Sequence, residues 1–246
     1  MNDEHPLKTC LNCGHPVRLN FCEQCGQEAS TEKIDWKFCS RELLFNNFTL
    51  HNKMLFTLKA LLLNPKKMIN DYFAGKRVQY SGALQLLFFV LIFYGLLFVF
   101  LGNPIDDNKT VFEINTVKKN IDLRQFTKAV ILLFILMSSF GTRLIYSKYK
   151  YSIPEHIIIN VYTISFCWLL LSMIKLLSWN YFSGVYTWIY LLLILFYYIR
   201  VFYETKSPVK SIFKAISAIL LILFFSLILV IIGAICVAMY YQFAGV

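Results

Sequence analysis

Residues 212–241 read IFKAISAILLILFFSLILVIIGAICVAMYY, and Lys214 is the one charged residue in this run. A helix needs about 20 apolar residues to cross the hydrocarbon core of a bilayer, so the run is long enough to span a membrane. At about 1.5 Å per residue it exceeds the thickness of that core, so the helix must tilt, kink near Gly233 or extend beyond the membrane. Hydrophobic residues make up 58% of the 246-residue chain, against about 45–50% in soluble domains. The sequence therefore predicts an integral membrane protein.

Other apolar runs extend this pattern towards the amino terminus. We place transmembrane spans at 83–101, 126–142, 156–178, 184–203 and 212–241. The second run is the shortest, and four or six spans are the alternatives. Eighteen of the 24 Lys and Arg residues lie in 1–82 or around the loops after the second and fourth spans, and such charges mark the cytosolic side. We therefore expect an all-α polytopic membrane protein of about five transmembrane helices, with the amino terminus inside and the carboxyl terminus outside (N-in/C-out).

Two C-x2-C-G motifs lie near the amino terminus, with their cysteines at Cys10, Cys13, Cys22 and Cys25. Four cysteines at such spacing typically bind one tetrahedral structural metal ion, and a site closed by four thiolates has no open position for catalysis. We expect zinc, with iron as the alternative. Because reduced cysteines belong in the cytosol, this motif predicts the same sidedness as the basic residues do.

The metal motif predicts a minimal zinc-ribbon-like domain over residues 1–30. Few apolar residues are available to it, and we expect its core to consist of Leu11, Val17, Leu19 and Phe21. Metal binding must then supply most of its folding energy. His15 is expected to be a polar turn residue, because four cysteines already complete the site. The first residues lack the features of a secretory signal, so we expect an amino terminus that is neither exported nor cleaved.

Residues 31–82 are predicted to form amphipathic helices at the cytosolic membrane surface. Apolar residues recur at helical spacing over 34–48, and the apolar run 54–63 is too short to span, so it is expected to lie in the interface. Pro65 and Gly75 mark the ends of a short helix over 65–74. Its flanking cations are predicted to contact anionic headgroups. They are Lys66, Lys67, Lys76 and Arg77. The alternative is that these helices pack against the cytosolic face of the bundle.

A row of polar side chains marks the third predicted span, within the transmembrane bundle of residues 83–246. His156, Asn160 and Thr163 lie on one helical face at i, i+4 and i+7, and polar groups inside a membrane must find partners. One interpretation is an intramembrane face that handles a proton or ligand, with Arg200 contributing. The other is hydrogen bonding between helices.

Several stretches of the chain resemble a bacterial family known as domain of unknown function 3667. The sequence N-F-C-E-Q-C-G-Q around the second cysteine pair is one of them, and L-F-T-L-K-A-L-L-L-N-P-K-K-M-I-N-D-Y-F-A-G-K-R-V-Q-Y over 55–80 is the most specific. Two later stretches are also similar to the family, P-E-H-I-I-I-N-V-Y over 154–162 and Y-Y-I-R-V-F-Y over 197–203. Ser81 and Gly82 stand where the family pattern has a proline-containing entry to the first span. The resemblance implies a bacterial inner (cytoplasmic) membrane protein and brings no established activity.

The sequence carries no enzyme motif of the metalloprotease, serine hydrolase, phosphate-loop or dinucleotide-binding kinds. It has no basic stripe interleaved with aromatic residues, so no nucleic-acid partner is expected. We favour a non-catalytic scaffold, adaptor or sensor that contacts the lipid bilayer and a cytosolic or membrane protein partner. A small transporter or permease using the His156 face is the alternative. The third hypothesis is a lipid- or envelope-modifying enzyme built on Arg77, His156, Arg200 and Glu204.

Overall fold

A computed structural model describes residues 8–29, 31, 34–45, 52–101, 123–178, 185–204 and 207–243. Within these ranges the chain is mostly helical. Two short strands, β1 (Lys8–Thr9) and β2 (Pro16–Val17), pair antiparallel with Lys8 opposite Val17. The helices are α1 (Trp36–Phe45), α2 (Asn52–Leu63), α3 (Pro65–Phe73), α4 (Ala83–Leu101), α5 (Leu123–Ile145), α6 (Ile153–Ser178), α7 (Val185–Val201) and α8 (Pro208–Phe243). The predicted all-α fold is confirmed in this coarse form.

The small metal-motif domain, residues 8–29, has a different core from the one expected. Val17 is buried together with Cys10 and Cys22, whereas Leu11, Leu19 and Phe21 are 52%, 69% and 60% exposed. The prediction of an apolar core was therefore wrong for three of its four residues. A domain held together by a metal ion does not depend on an apolar core, so its leucines and phenylalanine are free to face outward.

Helix α1 begins at Trp36, two residues after the start of the predicted helix over 34–48, and the last part of that prediction, 46–48, lies outside the described residues. The Asp35 carboxylate accepts a hydrogen bond from the Phe38 N–H at 2.7 Å, which is the interaction of an N-cap residue. Ile34 is buried and Phe38 packs against the same core. Ile34 and Phe38 at the start of this segment therefore face the rest of the protein.

Helix α3 begins at Pro65 and ends one residue earlier than predicted, and Gly75 adopts the left-handed conformation expected of a helix stop, with φ +94°. Met68, Ile69 and Tyr72 are buried, and the Tyr72 ring packs edge-on against Tyr162 of α6 at 5.6 Å. The apolar side of α3 therefore packs against the helical bundle, as in the alternative interpretation, and is not available to lipid.

Helix α6 lies at the centre of the bundle, where it packs against α4, α5 and α7, while α8 packs against α5 and α7. Gly141 of α5 allows the close contact with α8, because a Cβ at this position would lie only 3.3 Å from the Ile222 side chain. This arrangement makes α6 the most enclosed long helix, with 61% of Ile153–Ile174 buried, compared with 18% of Pro208–Gly233 in α8.

The entry to α4 depends on Ser81. Its N–H donates to the Thr57 hydroxyl of α2 at 2.7 Å, and its carbonyl accepts from the Tyr162 hydroxyl at 2.6 Å. A proline at this position would lack the N–H. The backbone of residue 81 thus ties the start of α4 to both α2 and α6.

Among the described residues, two helices are long and apolar enough to cross a membrane, α6 over Ile153–Ile174 and α8 over Pro208–Gly233. Shorter apolar stretches occur in α4, α5 and α7, at Ala83–Leu97, Leu133–Ile145 and Trp188–Val201. All five predicted spans coincide with helices, but five membrane crossings remain a prediction.

Candidate metal centre and intramembrane polar face

The four cysteines of the two C-x2-C-G motifs meet at one point. Their sulfur atoms all lie within 4.8 Å of one another, and the Sγ–Sγ distance is 3.5 Å both for Cys10–Cys25 and for Cys13–Cys22. A tetrahedron with metal–sulfur bonds of about 2.3 Å has sulfurs about 3.8 Å apart. The cysteine cluster therefore has the dimensions of a tetrahedral metal site.

The two motifs build this cluster with the same local turn. The N–H of Gly14 donates to the Cys10 carbonyl at 2.9 Å, and the N–H of Gly26 donates to the Cys22 carbonyl at 2.8 Å. Both glycines have positive φ, +76° and +73°, a conformation in which glycine avoids the Cβ clash of other residues. The residue after each cysteine pair is therefore required by the turn that brings the two thiols together.

The thiols of the cluster differ in acidity. Burial acts to raise the pKa of Cys10, but hydrogen bonds from the backbone of Cys13 and Asn12 and from neighbouring thiols lower it to about 7. A backbone hydrogen bond near His15 acts to lower the pKa of Cys13, but burial and the adjacent thiols raise it to about 12. Adjacent thiolates oppose one another's ionisation, and a bound cation removes this penalty. The donor set therefore suits a thiophilic divalent metal.

Gln27 joins the metal-motif domain to the helical body. Its side chain is buried, and its amide nitrogen donates to the Gly75 carbonyl at 2.6 Å and to the Thr31 hydroxyl at 2.7 Å. Its amide oxygen accepts from the Val78 N–H at 3.3 Å. Its backbone carbonyl accepts from the Cys22 N–H at 2.7 Å. One residue thus contacts the cysteine cluster through its main chain and the α3–α4 turn through its side chain.

Leu11 makes the apolar part of this junction. A Cβ built on Gly75 would lie 2.7 Å from Leu11 Cδ1, so a side chain at position 75 would displace the leucine. Sequence reasoning assigned Leu11 to an internal core and gave no role to Gln27. The one signal for Gln27 was its place at the end of the quoted N-F-C-E-Q-C-G-Q stretch.

The four predicted surface cations lie in two different environments. Lys67 is exposed, and the other three have partners within the protein. Lys66 donates to the Tyr203 carbonyl at 2.5 Å, Lys76 pairs with Asp71 at 3.2 Å, and Arg77 lies 4.4 Å above the Phe38 ring. Contact of these cations with lipid headgroups remains a prediction.

The predicted polar face of α6 is fully buried. Asn160 is its centre: the side-chain nitrogen donates to the Thr142 hydroxyl at 2.9 Å and to the His156 carbonyl at 2.8 Å, and the side-chain oxygen accepts from the Tyr198 hydroxyl at 2.5 Å. Thr163 donates to the Ile159 carbonyl of its own helix. These contacts tie α5, α6 and α7 together, as in the hydrogen-bonding interpretation. Sequence reasoning missed Thr142 and Tyr198, because neither shares a helix with Asn160.

His156 differs from the other members of this face. It is fully buried, and neither ring nitrogen has a hydrogen-bond partner in the described part of the chain. Its ring packs against Tyr151 at 6.0 Å and Phe202 at 6.2 Å. Since His156, Asn160 and Thr163 are all 0% exposed, this conformation gives no support to a water-filled pathway along them.

Arg200, expected beside the polar face, instead reaches α2. Its guanidinium donates to the Leu62 carbonyl at 2.7 Å and to the Leu63 carbonyl. Glu204 pairs with Lys214 at 2.7 Å, and this hydrogen bond lowers the pKa of Glu204. Arg77, Arg200 and Glu204 are thus engaged with separate partners, and the ring nitrogens of His156 have no hydrogen-bond partner among the described residues. This arrangement gives no support to a shared catalytic cluster.

Comparison with known proteins finds a match for one segment of the chain. No curated protein and no solved structure matches the chain. The segment that a family model matches comprises α2, α3 and the start of α4. It includes Gly75 and Val78, which contact Gln27, and Ser81 at the entry to α4. The model of the family described as Protein of unknown function (DUF3667) matches this chain over residues 51–95, which confirms the resemblance to that family seen over 55–80.

Proposed function

We propose that the chain is a non-catalytic scaffold, adaptor or sensor of a bacterial inner membrane, with a structural zinc site on its cytosolic side. The observation that carries this proposal is the junction formed by Gln27. A metal-dependent domain that is hydrogen-bonded to the body of the protein can present a binding surface at a fixed position. It can also couple the state of its metal to the α3–α4 turn.

Zinc is the proposed metal because four thiolates in a tetrahedral arrangement form a common structural zinc site. Iron has similar bond lengths to sulfur and is the alternative that metal analysis distinguishes. Four cysteine ligands leave no position for a substrate or an activated water. This donor set supports a structural role for the metal.

Membrane integration is supported by the exposure of α8. The apolar side chains of Leu220, Phe224 and Leu227 are 62%, 56% and 58% exposed. A soluble protein rarely leaves so much contiguous apolar surface in water, whereas lipid accommodates it without cost. We propose five spans with the amino terminus in the cytosol. Reporter fusions after Gly102 and after Val246 test this topology, and a cytosolic signal at either point would contradict it.

The partner surface that we propose lies on the metal-motif domain. Leu19 and Phe21 are both mostly exposed, and exposed apolar side chains beside a rigid turn are typical of protein contact sites. A cytosolic or membrane protein is therefore the proposed partner. The fully buried α6 face favours this scaffold role over transport.

Affinity capture from mild detergent tests the proposal. Three forms are compared: the wild type, Cys22→Ser with Cys25→Ser, and Gln27→Ala, which keeps all four metal ligands. Zinc content is measured on each form. We expect about one zinc in the wild type and in Gln27→Ala, none in the double cysteine variant, and the loss of one or more partners from the double cysteine variant. An identical partner list in the wild type and the double cysteine variant would contradict a scaffold role for the metal domain.

A further inference from the structure

Helix α2 exposes a largely apolar face that the described part of the chain leaves uncovered. Leu55, Leu62 and Leu63 are 69%, 54% and 52% exposed, while Thr57 and Leu61 on the opposite side are buried. Lys59 lies among these leucines on the same side of the helix, at i+4 from Leu55. An exposed face of leucines around a lysine marks contact with a membrane surface or with another protein. The other contacts of α2 decide between these two occupants.

Arg200 fixes the position of α2 relative to the bundle. The guanidinium donates to the carbonyls of Leu62 and Leu63 at the carboxyl end of α2, where backbone carbonyls lack partners within the helix and the helix dipole favours a cation. Arg200 itself lies in the last turn of α7. The end of α2 is therefore held at the end of α7.

The exposed surface of α7 leads directly to this point. Trp188, Leu192 and Phe196 are 70%, 63% and 58% exposed and follow one another at intervals of four residues, so they form one stripe along the helix. Arg200 is the next residue of the stripe and lies over the Phe196 ring at 5.6 Å. If lipid covers α7, the same lipid surface continues onto the exposed leucines of α2.

The charges of α2 fit the headgroup region of an anionic membrane. Lys53 and Lys59 are exposed, and α2 contains no acidic residue. An interfacial helix typically has an apolar face with lysines beside it, whose long side chains reach the phosphates. Charge and continuity with α7 thus both favour lipid over a second protein.

We propose that α2 is an interfacial helix, with Leu55, Leu62 and Leu63 in the acyl chains of the cytosolic leaflet, Lys53 and Lys59 among anionic headgroups, and Arg200 holding the helix at that depth. This inference rests on the proposed membrane integration of the chain. It adds to it a lipid-binding surface and a residue that positions this surface.

Site-specific photo-crosslinking in vesicles of phosphatidylethanolamine and phosphatidylglycerol tests the inference. The photoreactive residue p-benzoylphenylalanine replaces Leu55, Leu62, Leu192 or Leu19 in the full chain, and lipid adducts are measured by mass spectrometry. Leu19 is the matched control because it is as exposed as Leu55, at 69%, but lies in the metal-motif domain. We expect adducts at Leu55 and Leu62 at levels similar to Leu192 and several-fold above those at Leu19.

The other outcomes separate the two proposals. Adducts at Leu192 without adducts at Leu55 and Leu62, or crosslinks from these two to protein, would overturn the inference and leave membrane integration standing. Absence of adducts at Leu192 would overturn membrane integration itself. Equal adducts at Leu19 would mean that exposure alone produces them, and would overturn the inference.

An Arg200→Lys variant tests the positioning role. Lysine keeps the charge and can still reach the headgroups, but it cannot donate to two carbonyls from one planar group. We expect it to lower the adduct yield at Leu55 and Leu62 and to leave the yield at Leu192 unchanged. Unchanged yields at all three positions would remove Arg200 from the proposal.

Discussion

Replacing Gln27 by alanine should release the metal-motif domain from the α3–α4 turn while its metal site stays intact. The substitution removes side-chain hydrogen bonds of 2.6 Å to the Gly75 carbonyl, 2.7 Å to Thr31 and 3.3 Å from the Val78 N–H. A hydrogen bond contributes about 0.5–1.5 kcal/mol net. Because the bond to Val78 is long at 3.3 Å, we expect a loss in the lower part of the summed range, about 2 kcal/mol for the set.

Amide hydrogen exchange measures this loss directly, because the Val78 N–H is one of the bonded groups. A loss of about 2 kcal/mol corresponds to exchange that is faster by a factor of about 30. We expect this acceleration in peptides covering residues 74–80 of the zinc-loaded Gln27→Ala protein and no change in peptides from α6. Gln27→Glu is the matched variant: it keeps an acceptor for Val78 but turns an oxygen towards the Gly75 carbonyl, so it should undock the domain as well.

Removing the metal from the wild type with a chelator should accelerate exchange at the same turn, because Gln27 is bonded to the Cys22 N–H through its carbonyl. The chelator should add little at this turn in the Gln27→Ala variant, where the link is already broken. Unchanged exchange over 74–80 in the zinc-loaded variant would refute the junction. A full response to chelator in the variant would refute the route through Gln27.

Four further outcomes follow from single sites. Gly75→Ala carries the roughly 1–2 kcal/mol of a left-handed residue at φ +94°, and its Cβ, 2.7 Å from Leu11 Cδ1, displaces that side chain from the junction. It should therefore weaken docking, measured by exchange over 74–80. Gly14→Ala, with φ +76° and open space, should carry the backbone part alone and spare the docking. Asn160→Leu should lower the free energy of unfolding in detergent by about 1–3 kcal/mol, since hydrogen bonds to two other helices are lost; no change would contradict the polar tie. His156→Phe should leave stability unchanged or raise it, because it removes two unpartnered buried nitrogens, and a loss above about 1 kcal/mol would point to an unseen partner. The hydrogen bond from a lysine of α8 lowers the pKa of Glu204. The stabilisation that this carboxylate contributes is therefore present at neutral pH and is lost as the pH falls below about 4.5, the ordinary pKa of a glutamate. Thermal unfolding of Glu204→Gln should depend less on acid pH than that of the wild type, and equal profiles would contradict this.

Predictions from local pattern were close to the structure. Pro65 and Gly75 set the ends of α3 because one lacks an N–H and the other tolerates positive φ, and both properties belong to the residue itself. The bounds of α4, Ala83–Leu101, follow from a continuous apolar run. The four cysteines could be grouped because their spacing already brings the two pairs together.

Predictions failed where the deciding contact joins residues far apart in the chain. Periodicity places Arg200 at the end of an apolar helix, where a cation normally reaches towards headgroups, but it cannot show that two carbonyls of α2 lie within reach. The same holds for Asn160, whose hydroxyl partners lie on α5 and α7. The misassigned core of the metal-motif domain has another cause: apolar residues were taken to face inward, whereas a metal-bound fold leaves Leu11 free to pack against the body.

The turn between α3 and α4 is the point at which these long-range contacts converge. Gln27 binds its start through the Gly75 carbonyl, while Thr57 of α2 and Tyr162 of α6 bind its end through the N–H and carbonyl of Ser81. A shift of the metal-motif domain therefore acts on the same few residues that set the position of α2 against α6. If α2 lies in the membrane interface, metal state and lipid contact both meet at this turn, and linkage requires that any effect of one on the other be reciprocal. Lipid adducts at α2 should then change when the metal is removed, and insensitivity of those adducts to the metal would mean that the turn isolates the two sites from each other.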